Sequence, residues 1–293
     1  MKNFTSIAEL DNSVINNLID TGLSFKDGSR NIPQFKDANF VTLFLEPSTR
    51  TKSSFEFAIH RVGANKVDID ASKSSLLKGE SLLDTLLTLK ALEVDGVIIR
   101  NEQEKYYQGI EVNDFSIINA GDGANEHPSQ VLLDLMTIKE HKQKLDSLKV
   151  LIMGDIKHSR VAKNNYDVMT KLGMNVKFFA PHFFKAEGYP YIDSLENEIN
   201  EFDVVMVLRN QLERHASKED NLQETYLEKY GLSHRLFKML NDDAIVLHPG
   251  PFNRDVEIAS SILEEDKVKI LNQVNNGLYA RIAILDYVME DYE

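Results

Sequence analysis

Residues 48 to 51 read Ser-Thr-Arg-Thr, so hydroxyl groups and a guanidinium occupy consecutive positions. An apolar run from Val41 to Leu45 leads toward them. It reads as a buried strand, which Pro47 ends because proline has no backbone donor. Phe55, Ile59 and Val62 then fall on one helix face, and Gly63 sits where such a helix stops. The run therefore lies at a helix N-terminus, where unpaired backbone N–H groups and the helix dipole favour an anion. Ser and Thr there fit an ordinary N-cap as well as a phosphate site. Arg50 favours the site, because a cation at a helix N-terminus opposes the dipole unless an anion offsets it.

Other candidates sit at comparable turns. Arg100 directly follows the apolar strand Val97 to Ile99. A sheet-edge cap and a ligand group at the carboxyl end of a parallel strand both fit it. Ser116 to Asn119 is a short strand, followed by Gly121-Asp-Gly-Ala-Asn-Glu-His-Pro-Ser-Gln130. Gly121 and Gly123 begin a dinucleotide fingerprint, but Glu126 takes the third glycine position and the pattern fails. His127 and Gln130 precede the helical stripe Val131, Leu132, Leu135, Met136. A lone loop histidine is more often structural; its place at another strand-to-helix turn favours a ligand role. A polar loop, residues 70–80, carries Ser74 and Lys78, and most such lysines are solvated surface.

The second half offers a similar set. Arg160 follows the strand Lys149 to Met153 and opens a helix marked by Val161, Val168, Met169 and Leu172; its forked cation suits a carboxylate. Arg209 ends the strand Asp203 to Leu208, with Gln211 close behind. Glu213-Arg-His begins a charged segment, expected to be mobile, that reaches about Asn221. The strand Ala244 to Leu247 closes on His248-Pro249-Gly250-Pro251, whose prolines fix the backbone and expose carbonyl acceptors.

These turns need a scaffold of alternating strands and helices. Lys66 to Ile69 and Val176 to Ala180 read as further strands. Helical stripes run through Val14–Leu23, Leu82–Leu89, Ser129–His141 and Leu278–Met289. The pattern predicts an α/β protein of two domains, each with a central parallel sheet flanked by helices. The polar stretch Lys142 to Ser147 reads as the joint, giving domains 1–141 and 142–276.

Composition narrows the chemistry. The chain has 293 residues, enough for two domains, and a net charge of −13 that repels nucleic acid and anionic membranes. An anion site must therefore rely on local convergence of Arg and Lys. Cysteine is absent, which excludes thiolate chemistry and is compatible with the cytosol. No apolar run of membrane-spanning length and no signal-peptide core stand out. The eight histidines form no His-x-x-x-His pair, which disfavours a metal hydrolase. Gly-x-x-x-x-Gly-Lys-Ser/Thr is missing, which disfavours a nucleotidase or kinase.

Phe44-Leu-Glu-Pro-Ser-Thr-Arg-Thr51 closely resembles the carbamoyl-phosphate motif of the aspartate and ornithine carbamoyltransferases. Gly-Asp-Gly-x-x-x-His-Pro-x-Gln, Lys78-Gly-Glu and Asn253-Arg-Asp-Val-Glu-Ile extend the resemblance over the whole chain. Ser129 stands where Thr is usual, and Gly250 where Leu or Ala is common. The resemblance implies that the C-terminal helix returns to the first domain, so that residues 277–293 complete it. It implies that Ser48, Thr49, Arg50 and Thr51 hold phosphate, with Ser74 and Lys78 reaching in from an adjacent subunit of a homotrimer. Thr51, Arg100 and His127 would donate to the carbamoyl oxygen. Gln130 and the carbonyls around Pro249 and Gly250 would hold its NH2 group, with Pro251 shaping the turn. Arg160, Arg209, Gln211 and Lys78 would clamp the carboxylates of L-aspartate. No cofactor is implied. A regulatory subunit or neighbouring pathway enzymes are compatible partners.

Within the family, Glu46, the His-Pro-Gly-Pro turn, the lack of a Ser-Met-Gly segment and Arg209 resemble the aspartate branch. The branch implies an early step of pyrimidine biosynthesis. A carbamoyltransferase for another amino acid and a non-catalytic anion-binding protein are the alternatives; the completeness of the side-chain set argues against the second.

Overall fold

The computed structural model describes residues 2–70, 75–110, 114–210 and 222–290. Ser74, Gln211 and the charged segment from Glu213 to Asn221 lie outside the described residues. The chain divides into two compact units, Met1–Met136 with Asn275–Glu293, and Thr137–Val274.

In the first unit α1 (Asn12–Asp27) precedes β1 (Asn39–Phe44), α2 (Thr49–Arg61) and β2 (Asn65–Ile69). A 3-10 turn (Ser75–Lys78), α3 (Leu82–Ala91), β3 (Gly96–Asn101), β4 (Ser116–Asp122) and α4 (Pro128–Lys142) follow, and α4 runs past Met136 into the second unit. The strands form a parallel sheet in the order β2-β1-β3-β4. Side chains alternate across a strand. Val41, Leu43, Val97, Ile99 and Ile117 thus share a face, packed with Leu86 and Leu89 of α3 and with Tyr106 and Phe115. Phe40, Ile98 and Ile118 point to the other face and are fully buried.

The second unit repeats the design. Its described elements are β5 (Lys149–Met153), α5 (Arg160–Lys171), β6 (Asn175–Phe179), α6 (Leu195–Glu198), β7 (Val204–Val207), α7 (Leu222–Tyr230), α8 (His234–Phe237) and β8 (Ile245–Leu247). They build a parallel sheet in the order β6-β5-β7-β8. Leu151, Met153, Val205, Val207 and Val246 pack with Leu236, Phe237, Ile258 and Ile262.

The last helix, α9 (Ile270–Val288), begins in the second unit and ends in the first. The Val288 carbonyl accepts from the Ser116 hydroxyl of β4 at 3.3 Å, and Asp286 pairs with Arg30 at 3.0 Å. Ile282, Ile284, Leu285 and Val288 are fully buried. The helix thus completes the first unit's core, as the resemblance implied.

Strand order fixes where ligands can enter. In each sheet the first strand passes the chain to one side and the next strand on its other side carries it away. Brändén's rule puts a ligand crevice at the carboxyl ends of that pair. The pairs are β1/β3 and β5/β7.

Candidate active site

At the β1/β3 switch, Phe44 stands opposite Arg100, and the Leu45 N–H donates to the Arg100 carbonyl at 2.8 Å. The end of β3 is thereby set beside the turn that opens α2. Arg100 is buried, its Nη1 donates to the Ala120 carbonyl at 3.3 Å, and its Nη2 lies 2.8 Å from Glu46 Oε2. The pair aims the guanidinium along the carboxyl edge of the sheet. Both sequence readings of Arg100, sheet-edge cap and ligand group, fit this placement at the switch point.

The start of α2 separates cap from anion site. Ser48 is the N-cap residue, yet its side chain makes no capping hydrogen bond. Ser159 of α5 and Ser81 of α3, by contrast, each accept from a backbone N–H at 3.1 Å. The Ser48 hydroxyl and the first-turn N–H groups are thus left for another acceptor. Thr49 and Arg50 are exposed, and the Arg50 guanidinium has no carboxylate partner among the described residues. Thr51 is buried, with Oγ1 at 3.2 Å from His127 Nε2.

His127 is delivered by a rigid loop. Asp122, fully buried, accepts from the Asn119 side chain (2.9 Å), the Glu126 N–H (3.1 Å), the Lys105 N–H (2.7 Å) and the Asn125 side chain (2.8 Å). Gly123 has φ +49°, and a Cβ there would meet the Glu102 carbonyl oxygen at 2.4 Å. Gly123 therefore serves the close packing of this loop. One turn beyond His127, Gln130 Nε2 donates to buried Asp134 Oδ1 at 2.9 Å, which orients the amide.

Two charged groups behind this surface have no site role in the sequence reading: Glu126, noted there only for breaking the glycine pattern, and Arg281. Glu126 accepts from Ser6 Oγ at 2.6 Å and the Ile7 N–H at 3.2 Å, and burial raises its carboxyl above the usual range. Arg281 of α9 is 3% exposed. It donates to the Gly277 carbonyl at 2.6 Å and the Ser129 hydroxyl at 3.3 Å, and stacks 5.0 Å from the Phe55 ring centroid. Burial pushes its pKa down to about 9. It joins the helix behind Thr51 to the helix behind His127. A lone arginine inside Ala280–Leu285 was the available sequence signal.

Lys78 ends the 3-10 turn, is exposed, and has no hydrogen-bond or ion-pair partner among the described residues. Ser48, Thr49, Arg50, Thr51 and Arg100 lie at the β1/β3 switch; His127, on the turn after β4, meets them through Thr51, and Gln130 opens the helix behind it. Lys78 is not joined to them by any hydrogen bond or ion pair among the described residues.

The second unit holds the rest. Arg160 opens α5 directly beyond its cap Ser159, on the turn that leaves β5. Arg209 follows β7, whose end is tied to β5 by the Leu208 N–H to the Met153 carbonyl at 2.8 Å. Both half-buried guanidinium-bearing residues thus flank the β5/β7 switch. Beyond β8, the peptide between Gly250 and Pro251 is cis, and the Gly250 N–H donates to His248 Nδ1 at 2.9 Å. Pro249 and Gly250 are half-buried and Pro251 is exposed.

Two parallel sheets with hydroxyls and forked cations at their switch points define an α/β protein that binds anionic small molecules. Residues 2–140 match the model of the aspartate/ornithine carbamoyltransferase carbamoyl-P binding domain, and residues 146–288 that of its Asp/Orn binding domain. The chain belongs to the aspartate/ornithine carbamoyltransferase family. It is 44% identical over 298 residues to an aspartate carbamoyltransferase catalytic subunit of Listeria monocytogenes, covering 100% of this chain and 97% of the relative. A subunit of the same name from Staphylococcus carnosus is 42% identical over 295 residues, covering 100% and 97%. Among solved structures, the catalytic subunit of M. jannaschii aspartate transcarbamoylase superposes with TM-score 0.88 at 28% identity, covering 100% of this chain and 99% of that one. The Trypanosoma cruzi aspartate transcarbamoylase in complex with N-(phosphonacetyl)-L-aspartic acid gives 0.84 at 26%, covering 97% and 94%.

Proposed function

We propose that this chain transfers the carbamoyl group of carbamoyl phosphate to the amine of L-aspartate, giving N-carbamoyl-L-aspartate and phosphate, an early step of pyrimidine biosynthesis. The observation that carries the reading is the α2 N-terminus, with its cap hydroxyl unused and Thr51 in contact with His127. Full-length likeness to aspartate carbamoyltransferase catalytic subunits supports the acceptor. The Glu46–Arg100 pair supports it too, since a lysine at position 46 would repel Arg100.

The reaction needs positioning and electrostatics rather than a covalent intermediate. Ser48, Thr49, Arg50 and Thr51 take the phosphate, with Ser74 and Lys78 of an adjacent subunit. Thr51, Arg100 and His127 donate to the carbamoyl oxygen, where negative charge grows as the amine nitrogen attacks the carbon. Gln130, oriented by Asp134, and the carbonyls of Pro249 and Gly250 hold the NH2 group, while Pro251 shapes that turn. Arg160, Arg209, Gln211 and Lys78 bind the two carboxylates of the acceptor. The bond between the carbamoyl carbon and the bridging phosphate oxygen then breaks, and the departing phosphate takes the amine proton. No cofactor enters this scheme. No helix among the described residues is long and apolar enough to cross a membrane; the lack of cysteine fits a cytoplasmic setting.

The test is phosphate release from carbamoyl phosphate with L-aspartate against L-ornithine. Release with L-aspartate alone is expected. Release with L-ornithine at a comparable kcat/KM would overturn the acceptor assignment.

A further inference from the structure

Glu257 belongs to no motif role assigned above, yet it is 1% exposed in the second unit. A carboxylate that deep must be matched by donors. Oε1 accepts from the Asn253 N–H and lies 3.4 Å from His248 Nε2. Oε2 accepts from the Asn210 N–H at 3.4 Å and from Asn253 Nδ2 at 3.3 Å. The same Asn253 amide donates to the Asn210 carbonyl at 3.2 Å. Both backbone groups of Asn210, the residue after Arg209, are therefore tied to this cluster.

His248 carries the connection into the turn. Its Nδ1 accepts the Gly250 N–H, so that nitrogen carries no proton, and Nε2 lies 3.4 Å from Glu257 Oε1. Its own N–H donates to Gln273 Oε1 at 2.8 Å. One carboxylate thus reaches the residue after Arg209 on one side and the Pro249–Pro251 turn on the other.

We infer that Glu257 is a positioning residue that sets Arg209 and the His248–Pro251 turn in one geometry. This rests on the carbamoyl-transfer reading. Glu257→Gln keeps the shape but turns one acceptor oxygen into an NH2 group facing donors, which leaves backbone N–H groups of Asn210 or Asn253 unmatched.

The experiment compares wild type, Glu257→Gln and Asn253→Ala as full-length chains. It reads kcat, KM for L-aspartate, inhibition by inorganic phosphate, affinity for N-(phosphonacetyl)-L-aspartate and thermal melting. Wild-type turnover with L-aspartate comes first; without it the parent reading fails, not this one. With it, Glu257→Gln is expected to raise KM for L-aspartate about tenfold and weaken the bisubstrate mimic similarly, because a small misplacement of a clamp is costly. Phosphate inhibition should stay within about twofold, since phosphate is held by the first unit. A purely structural role lowers kcat through lost active protein and leaves these affinities alone; that outcome overturns the proposal. If Glu257→Gln does not fold, Asn253→Ala decides: a raised KM for L-aspartate supports the inference, and an unchanged one overturns it.

Discussion

At the scale of single residues, the sharpest contrast is between hydroxyls that cap helices and hydroxyls that do not. Ser48 and Thr51 open the same helix, yet neither closes it in the way Ser159 closes α5. A helix start with an unused cap, and with no carboxylate on Arg50 among the described residues, is less stable alone than with a dianion bound. Removing His127, the partner of Thr51, should therefore affect the reaction more than the fold. His127→Ala is expected to lower kcat by about 10² to 10³, the usual effect of losing one oxyanion donor, with little change in melting temperature. A near-normal kcat would exclude the donor role. Glu126, the next residue back, makes a pH prediction. Burial, countered by bonds from Ser6 and Ile7 and reinforced by Asp122 and Glu9, raises its pKa from an ordinary value of 4.5. The folded state then binds the proton more tightly than the unfolded chain. The stabilisation is full below the unfolded value and is lost as pH rises through the folded one. Melting of Glu126→Gln, measured relative to wild type, should accordingly shift upward as pH rises above the ordinary carboxyl value of 4.5. A pH-independent difference would show that the carboxyl is not held protonated more tightly in the fold.

At the scale of elements, each strand end delivers one functional group, and small steric details set its aim. Gly154 ends β5 with φ +124°, and a Cβ there would meet the Leu208 carbonyl oxygen at 2.9 Å. Gly154→Ala should push on the segment that leads to Arg209. KM for L-aspartate is expected to rise and the melting temperature to fall by the few degrees that about 1 kcal/mol represents. Unchanged acceptor kinetics would mean that the contact is relieved elsewhere. The elements themselves were largely legible. Val41–Leu45 marks a strand spanning Asn39–Phe44, and Val97–Ile99 one spanning Gly96–Asn101, because strands buried on both faces read as unbroken apolar runs. The start of α9 was not legible. It begins at Ile270, but Leu271 and Val274 are exposed and blur the stripe that becomes clear only from Leu278. The short helices α6, α7 and α8 carry too few apolar positions to show a period. Turn residues such as Arg100 and Arg209 could be found as cations following apolar strands. Glu46, Asp134, Glu257 and Arg281 could not be given partners, because each acts through a contact distant in sequence or hidden by burial.

At the scale of the whole molecule, the first unit presents apolar surface that its own core does not use. In α3, Leu86 and Leu89 are buried, while Leu83 and Leu87, one turn apart, are 44% and 47% exposed. Phe57 of α2 and Val67 of β2 are 62% and 52% exposed. A helix that is apolar on opposite faces normally has a partner on each. Lys78, exposed and unpaired among the described residues, lies on the turn just before that helix. These features fit the homotrimer that the family resemblance implies, in which Lys78 of one subunit would serve the phosphate site of the next. The arrangement makes a quantitative prediction. Arg50→Ala and Lys78→Ala chains should each be nearly inactive as pure trimers, since every site lacks one cation. Mixed at equal amounts by reversible unfolding, a site is intact only when its own chain carries Arg50 and its neighbour carries Lys78. Random assembly into a cyclic trimer meets that condition in about one quarter of sites, so about one quarter of wild-type activity should return. Mixed trimers confirmed by mass but silent in the assay would place both cations in a single chain's site and remove the reason for a shared one.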